Sequence, residues 1–364
     1  MKTVKAIVCA ATLACAALSF GACAKGAGVA EVVVDVTFDS QGGGSVPAEK
    51  TLSGYPVYEP MNLTNAVDGN LVFSGWYTEA SCATRWDFDD PVTEDITLYA
   101  KWNAADSLSF NAISGGTAWE VSKGTGTLDA ELFIPAYYKG IPVTRTASNG
   151  FYYCSGITDL HLPEGLTVLG DYSFIGCTSL IAVNIPESLT SIMEEVFGDC
   201  LSLGGTIEIP RNVASIGFSA FMNCYAMTAI HVDWNNAYFS SSDGALFDKA
   251  MKKLIIYPCG RSESTYVIPS TVLEIGTYSF MYNTALTKIT IPASVTSIDN
   301  YAFFHCDDLI NLFIPSSVTT INDPIIEGCD KVQIHCQAAE KPAGWSEYWD
   351  SYTHTVAVTW GCSE

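Results

Sequence analysis

The sequence predicts a mainly β protein: a solenoid of stacked short coils with irregular or short helical turns, preceded by a small β-rich module. Three observations carry this expectation. An Ile/Leu-Pro pair recurs at Leu162-Pro163, Ile185-Pro186, Ile209-Pro210, Ile268-Pro269, Ile291-Pro292 and Ile314-Pro315, in steps of 23 or 24 residues apart from one step of 59. A cysteine recurs once per step, at Cys154, Cys177, Cys200, Cys224, Cys306 and Cys329. Upstream, from Val32 to Trp102, β-branched and aromatic residues alternate between Gly, Pro and Asn, which is strand-and-turn chemistry.

The chain has 364 residues, 48% hydrophobic and 15% charged, which is ample material for a packed core. Its formal net charge is -22, from 39 acidic and 17 basic residues. Such an acidic field repels phosphate backbones and anionic lipid surfaces, so nucleic acid is excluded as the main partner.

At the N-terminus, Lys2 and Lys5 precede an apolar run from Ala6 to Phe20. That length suits the core of a signal peptide and is too short for a membrane span. The run ends in Phe20-Gly21-Ala22-Cys23. This resembles a bacterial lipobox with Phe in the usual Leu place, which implies lipidation at Cys23 after removal of residues 1–22. Their loss takes two lysines and no acid, moving the charge from -22 to -24. The expected localisation is therefore an exported protein at the cell surface or outer membrane, with the N-terminal lipid as its membrane attachment. Residues 23–30 are small and read as a tether.

The module at 31–103 begins with alternating strands around Val32 to Phe38, followed by a turn at Gly42-Gly43-Gly44. Two further strands are expected at Val72 to Tyr77 and Ile96 to Trp102. Val36 to Gly43, Phe73 to Tyr77 and Leu98 to Trp102 resemble the three signatures of the internalin B-repeat type, also called the Listeria–Bacteroides repeat. The resemblance implies a β-grasp-like module used as a spacer or contact domain. Trp76, Tyr77, Tyr99 and Trp102 are then expected to build its core.

The array at 104–336 has a regular unit, seen cleanly from Leu286 to Cys306. Ile289 and Ile291 share the spacing of one strand face, and both point inward. Pro292 ends the strand because it lacks an N–H. One coil cannot bury its own apolar face, whereas stacked coils bury each other's. The long gap at 210–268 reads as an elongated coil with a turn-and-strand block at Ser242 to Phe247. Period and pattern resemble leucine-rich repeats of the BspA or treponemal type. The aromatic tail at 337–364 resembles the usual C-terminal cap of such arrays. The resemblance implies a surface adhesin binding host or matrix macromolecules.

Where one repeat lacks its cysteine, Asn283 stands three residues before Leu286, as Cys177 stands before Leu180. Thiol and amide are both compact donors, so the column is expected to be a buried structural ladder of free thiols. Cys336 and Cys362 bracket the cap, and their pairing stays open.

No catalytic, cofactor or metal site is expected. None of the five histidines, including His305 and His354, sits in a metal motif, and no nucleophile motif surrounds a Ser or Cys. The expected function is binding without catalysis. The middle residues of the strand triplets face outward. His161, Asn184, Glu208, His231, Thr290 and Phe313 form one such column, with Lys288 in the next. Stacking makes these columns a continuous stripe on the concave face, open to proteins or glycans of a host or matrix. The alternative is a structural spacer in the bacterial envelope without a soluble ligand.

Overall fold

The computed structural model describes residues 32–60, 63, 71–88, 90–352 and 356–363. Residues 1–22, the tether, Cys23 and His354 lie outside the described residues.

The first module is one mixed sheet of four strands, β1 (Val33–Asp39), β2 (Glu49–Leu52), β3 (Leu71–Tyr77) and β4 (Ile96–Ala104), in the order β2-β1-β4-β3. β1 runs parallel to β4 and antiparallel to β2. Alternation in β1 buries Val34, Val36 and Phe38 and exposes the residues between them. Trp76 is fully buried against Phe38 and Phe73, and its indole N–H donates to the Pro60 carbonyl at 2.9 Å. Two glycines are dictated by geometry. A Cβ on Gly43 would lie 2.1 Å from the Trp102 ring. Gly75 has φ +103° at the bulge where β3 shifts register against β4.

The remainder is a β-solenoid with two parallel walls. The Ile-x-Ile strands form one wall in three blocks. They are Glu131–Phe133 with Asp159–His161 and Ala182–Asn184, then Gly205–Ile209 with Met227–Val232, then five strands from Thr265–Val267 to Ala357–Trp360. The Val-x-x-Ile segments form a second wall of two-residue strands such as Val168–Leu169, Ser191–Ile192 and Glu274–Ile275. The repeat pattern predicts strands on the concave side alone. Apolar Val-x-x-Ile spacing suits either a strand or a tight turn, and neighbour pairing decides for the strand. Turns close each coil on the third side, and the two helical turns described are 3₁₀ segments at Ala105–Ser107 and Ser114–Gly116.

The first wall is interrupted where the stripe was expected to be continuous. Gly204-Gly205 adds a residue to its repeat, and Gly205, at φ +70°, shifts register against the next strand. The second interruption is the hairpin of Phe239–Ser242 and Ala245–Asp248, which joins the other wall.

Two apolar cores follow this division. One runs from Val72, Leu108 and Val121 to Leu246 and the other from Ala245 to Trp349. Each is lined by a stack of aromatic rings: Phe151, Phe174, Phe197 and Phe221 at 4.9, 5.9 and 5.6 Å, then Tyr257, Phe280 and Phe303 at 5.3 and 5.4 Å. At the C-terminal end Trp345 packs on Trp349 and Trp360, and its N–H donates to the Val318 carbonyl.

Candidate functional site

In most Ile-x-Ile strands the apolar residues are buried and the middle residue faces out, whereas Val183 and Ile185 flanking Asn184 are only half-buried. Pairing aligns the outward places as Phe133, His161 and Asn184; as Glu208 and His231; and as Phe313, His335 and Thr359.

The seven expected residues differ in availability. Glu208 and His231 are exposed and joined through Nδ1 and Oε2 at 2.6 Å. Lys288 is exposed and Thr290 half-buried. Phe313, expected to be exposed, is half-buried, since it stands above His335 in register. Asn184 turns back onto the strand beside it. Its amide donates to the Leu162 carbonyl at 2.9 Å and accepts from the Leu162 N–H at 2.7 Å.

His161 faces outward and is covered by the first module. Its ring stacks on Phe133 at 4.1 Å, with interplanar angle 5°. Nε2 lies 2.9 Å from a Glu131 oxygen, and Nδ1 lies 4.0 Å from Glu59. Burial pushes the imidazole down to about 4; the Glu59 carboxylate opposes this and the Arg85 charge adds to it. Arg85 pairs with Glu131 and lies over Phe133, with 4.5 Å from its guanidinium carbon to the ring centroid. Glu59, Arg85, Trp86, Asp159, His161 and Asn184 border a cleft of about 590 Å³ between module and solenoid. Sequence reasoning missed Glu59, Arg85 and Trp86, because nothing local says which face of the array the module covers. It also missed Val267, 66% exposed and paired in register with Thr290, and His335, bonded to Thr359 and Asn311 at 2.7 and 3.1 Å.

The cysteine column lies inside. The thiols of Cys177, Cys200, Cys224, Cys306 and Cys329 each donate to the carbonyl of the ring-stack Phe one coil earlier, at 3.4, 3.3, 3.2, 3.1 and 2.9 Å. Cys154, at the start of the column, is buried and has only a long contact, 3.9 Å, to the Tyr152 carbonyl. Asn283 donates to the Pro258 carbonyl at 3.4 Å, and its side-chain oxygen accepts the Leu286 N–H. Burial holds the Cys177 thiol up at about 12. All these cysteines, and Cys336 and Cys362, are free thiols. Among the described residues no group of three His, Cys, Asp or Glu side chains is placed to hold a metal, and no helix is long and apolar enough to cross a membrane.

Coils of 23–24 residues stacked through two parallel walls, with thiols bonded to ring-stack carbonyls, define a bacterial-type leucine-rich repeat solenoid. Residues 144–259 and 255–337 match the BspA type leucine rich repeat region in six copies, and residues 35–101 match the Listeria-Bacteroides repeat domain. The chain belongs to the BspA-type leucine-rich repeat family. Among solved structures, the pneumococcal vaccine antigen PcpA is similar with TM-score 0.51 and 18% identity, over 71% of this chain and 87% of that one. A leucine-rich repeat protein from Eubacterium ventriosum is similar with TM-score 0.47 and 22% identity, over 63% and 71%. Two proteins of Evansella cellulosilytica share shorter stretches. A putative Gly-rich membrane protein is 34% identical over 26% of this chain and 11% of its own length. A putative membrane protein is 33% identical over 27% and 15%. The chain therefore spans a small part of these two relatives.

Proposed function

We propose that this chain is a non-enzymatic bacterial surface protein that holds a host or matrix protein or glycan against its Ile-x-Ile wall. The observation that carries this reading is the exposed Glu208–His231 pair, with Lys288 on the same wall beyond the hairpin. A wall of hydrogen-bonded strands presents these groups with little backbone ordering cost on binding. The net charge of -22 argues against nucleic acid as the partner.

The test is a binding screen of the full chain against matrix proteins and glycans. Glu208→Lys, His231→Glu, Lys288→Glu and Phe313→Asp are then compared with the parent. Exposed positions at an interface centre typically lose about tenfold or more in affinity, and the melting temperature should hold for the three exposed positions. Full binding by the isolated 31–103 fragment, with the wall freely mutable, would leave the solenoid as a spacer and reject this reading.

Export and anchoring through lipidated Cys23 belong to the same proposal, supported by the segment from Lys2 to Cys23 and by relatives named as membrane proteins. A bacterial lipoprotein cysteine carries several acyl chains, which together anchor firmly. Cys23→Ala is expected to move the protein from the membrane to the soluble fraction while export continues. Failure of a labelled fatty acid to mark the parent protein excludes the anchor.

A further inference from the structure

The turns on the third side form a ladder of their own. The N–H groups of Glu195, Phe197 and Asp199 donate to the carbonyls of Phe218, Ala220 and Met222 in the next coil, at 3.4, 2.8 and 2.9 Å. Further along, those of Tyr278, Phe280 and Tyr282 donate to Asn300, Ala302 and Phe304, at 3.3, 2.8 and 2.8 Å. Between these blocks one coil is short. It joins its two strands through residues 257–264, where the next coil uses 276–287. Its Tyr257 N–H reaches forward to the Ser279 carbonyl at 2.7 Å, and its Gly260 N–H reaches back to the Met227 carbonyl at 3.2 Å. Among the described residues, the N–H groups of Ser219, Phe221 and Asn223 make no hydrogen bond, and the carbonyls of Thr277 and Met281 accept none.

A cavity of about 210 Å³ lies at this missing turn. Phe218 and Met222 wall one side, Tyr278 and Met281 the other, and Tyr257 and Cys259 lie between them. The volume suits one apolar side chain, below the size of a drug-like pocket. At the mouth the rings of Phe218 and Tyr278 meet at 6.3 Å and those of Tyr225 and Tyr282 at 6.4 Å, wider than the 5.2 Å between Tyr278 and Tyr301. Phe218 and Tyr225 are 51% and 44% exposed. Lys253, the charged side chain bordering the cavity, is held by Glu274 and Asp299. The carboxylates of Glu195, Asp199 and Asp307 act on the rim tyrosines, so the mouth is acidic.

We propose that this notch is an interaction site for a short segment of a different protein, which supplies the missing turn by backbone hydrogen bonding, seats one apolar side chain between the walls and carries basic residues at its flanks. A peptide backbone offers carbonyls to the open N–H groups on one wall and N–H groups to the open carbonyls on the other, which is the logic of strand addition. Methionines fit the role, because their flexible thioethers adapt to varied side chains. The site is separate from the Ile-x-Ile wall and stands whether or not that wall binds.

The full chain is tested with the labelled peptide Lys-Asn-Tyr-Ala-Phe-Phe-Lys, which copies the turn at 300–304 between added lysines. In the free protein the amides of Ser219, Phe221 and Asn223 should exchange with solvent faster than those of Glu195, Phe197 and Asp199. The peptide should slow all three. Backbone N-methylation of the peptide should weaken binding about tenfold or more, the loss of one or two hydrogen bonds. Met281→Trp, which fills the notch, should do the same, with Phe218→Ala as the milder variant if the first misfolds. Equal binding by the N-methylated peptide, or no protection of the three amides, overturns the proposal. So does protection by cellotriose in place of the peptide, or a dimer of this chain that Met281→Trp abolishes.

Discussion

Phe197→Ala is expected to destabilise the solenoid by about 3–5 kcal/mol, the usual cost of truncating a fully buried aromatic ring. Phe197 is 0% exposed and stacks between Phe174 and Phe221 at 5.9 and 5.6 Å. Its carbonyl also accepts the Cys224 thiol at 3.2 Å. In a solenoid each coil touches only its neighbours, so a cavity here weakens two interfaces at once. Urea unfolding followed by circular dichroism gives the value. A lowered slope alongside the lowered midpoint would indicate that the array splits at this coil. Cys224→Ser, which buries a hydroxyl more costly than a thiol, should lose about 1–3 kcal/mol. A change below about 1 kcal/mol for Phe197→Ala means that the ring stack contributes little and that the two walls hold the array.

The second large effect lies at His161 and depends on pH. The folded imidazole titrates at about 4, against 6.5 for the ordinary group. Its folded value is depressed, so the unfolded chain binds the proton more readily between those limits. The contribution is fully present above pH 6.5 and lost as pH falls toward 4, amounting to about 3 kcal/mol at most. Glu59 works in the opposite sense. Burial raises its carboxyl, with the His161 and Arg85 charges opposing, so it gains folding stability on acidification. Comparing the parent with His161→Gln isolates the histidine. The parent should lose stability relative to the variant between pH 6.5 and 4. An NMR titration of His161 with its midpoint near 6.5 would show that the module does not cover it.

The sheet order of the module was legible only in outline. Its strands follow from alternation and its tight turn from the glycines, but Gly43 is explained by a ring 59 residues away in sequence, Trp102. The cysteine column could be read more fully. Cys and Asn283 exchange at one register position, and that exchange implies a compact buried donor. The carbonyl it serves, on the coil before, is set by how the coils stack. The outward columns were legible as directions and not as availability. Period-two alternation puts His161, Asn184 and Phe313 on the outer face. It says nothing of the module lying over His161, the side chain of Asn184 turning back, or the register neighbour of Phe313.

The repeat period, the inward Ile-x-Ile pairs and the terminating prolines were determined by the sequence itself, because each rests on contacts within a coil or between identical places of adjacent coils. The tertiary structure alone decided the second parallel wall, the breaks at Gly205 and at the Phe239–Asp248 hairpin, the cleft at His161 and the notch beneath Phe218. Each of these depends on which unlike segments meet in space. A periodic sequence encodes its repeats locally and leaves the meeting of its irregular parts to packing and backbone hydrogen-bond pairing.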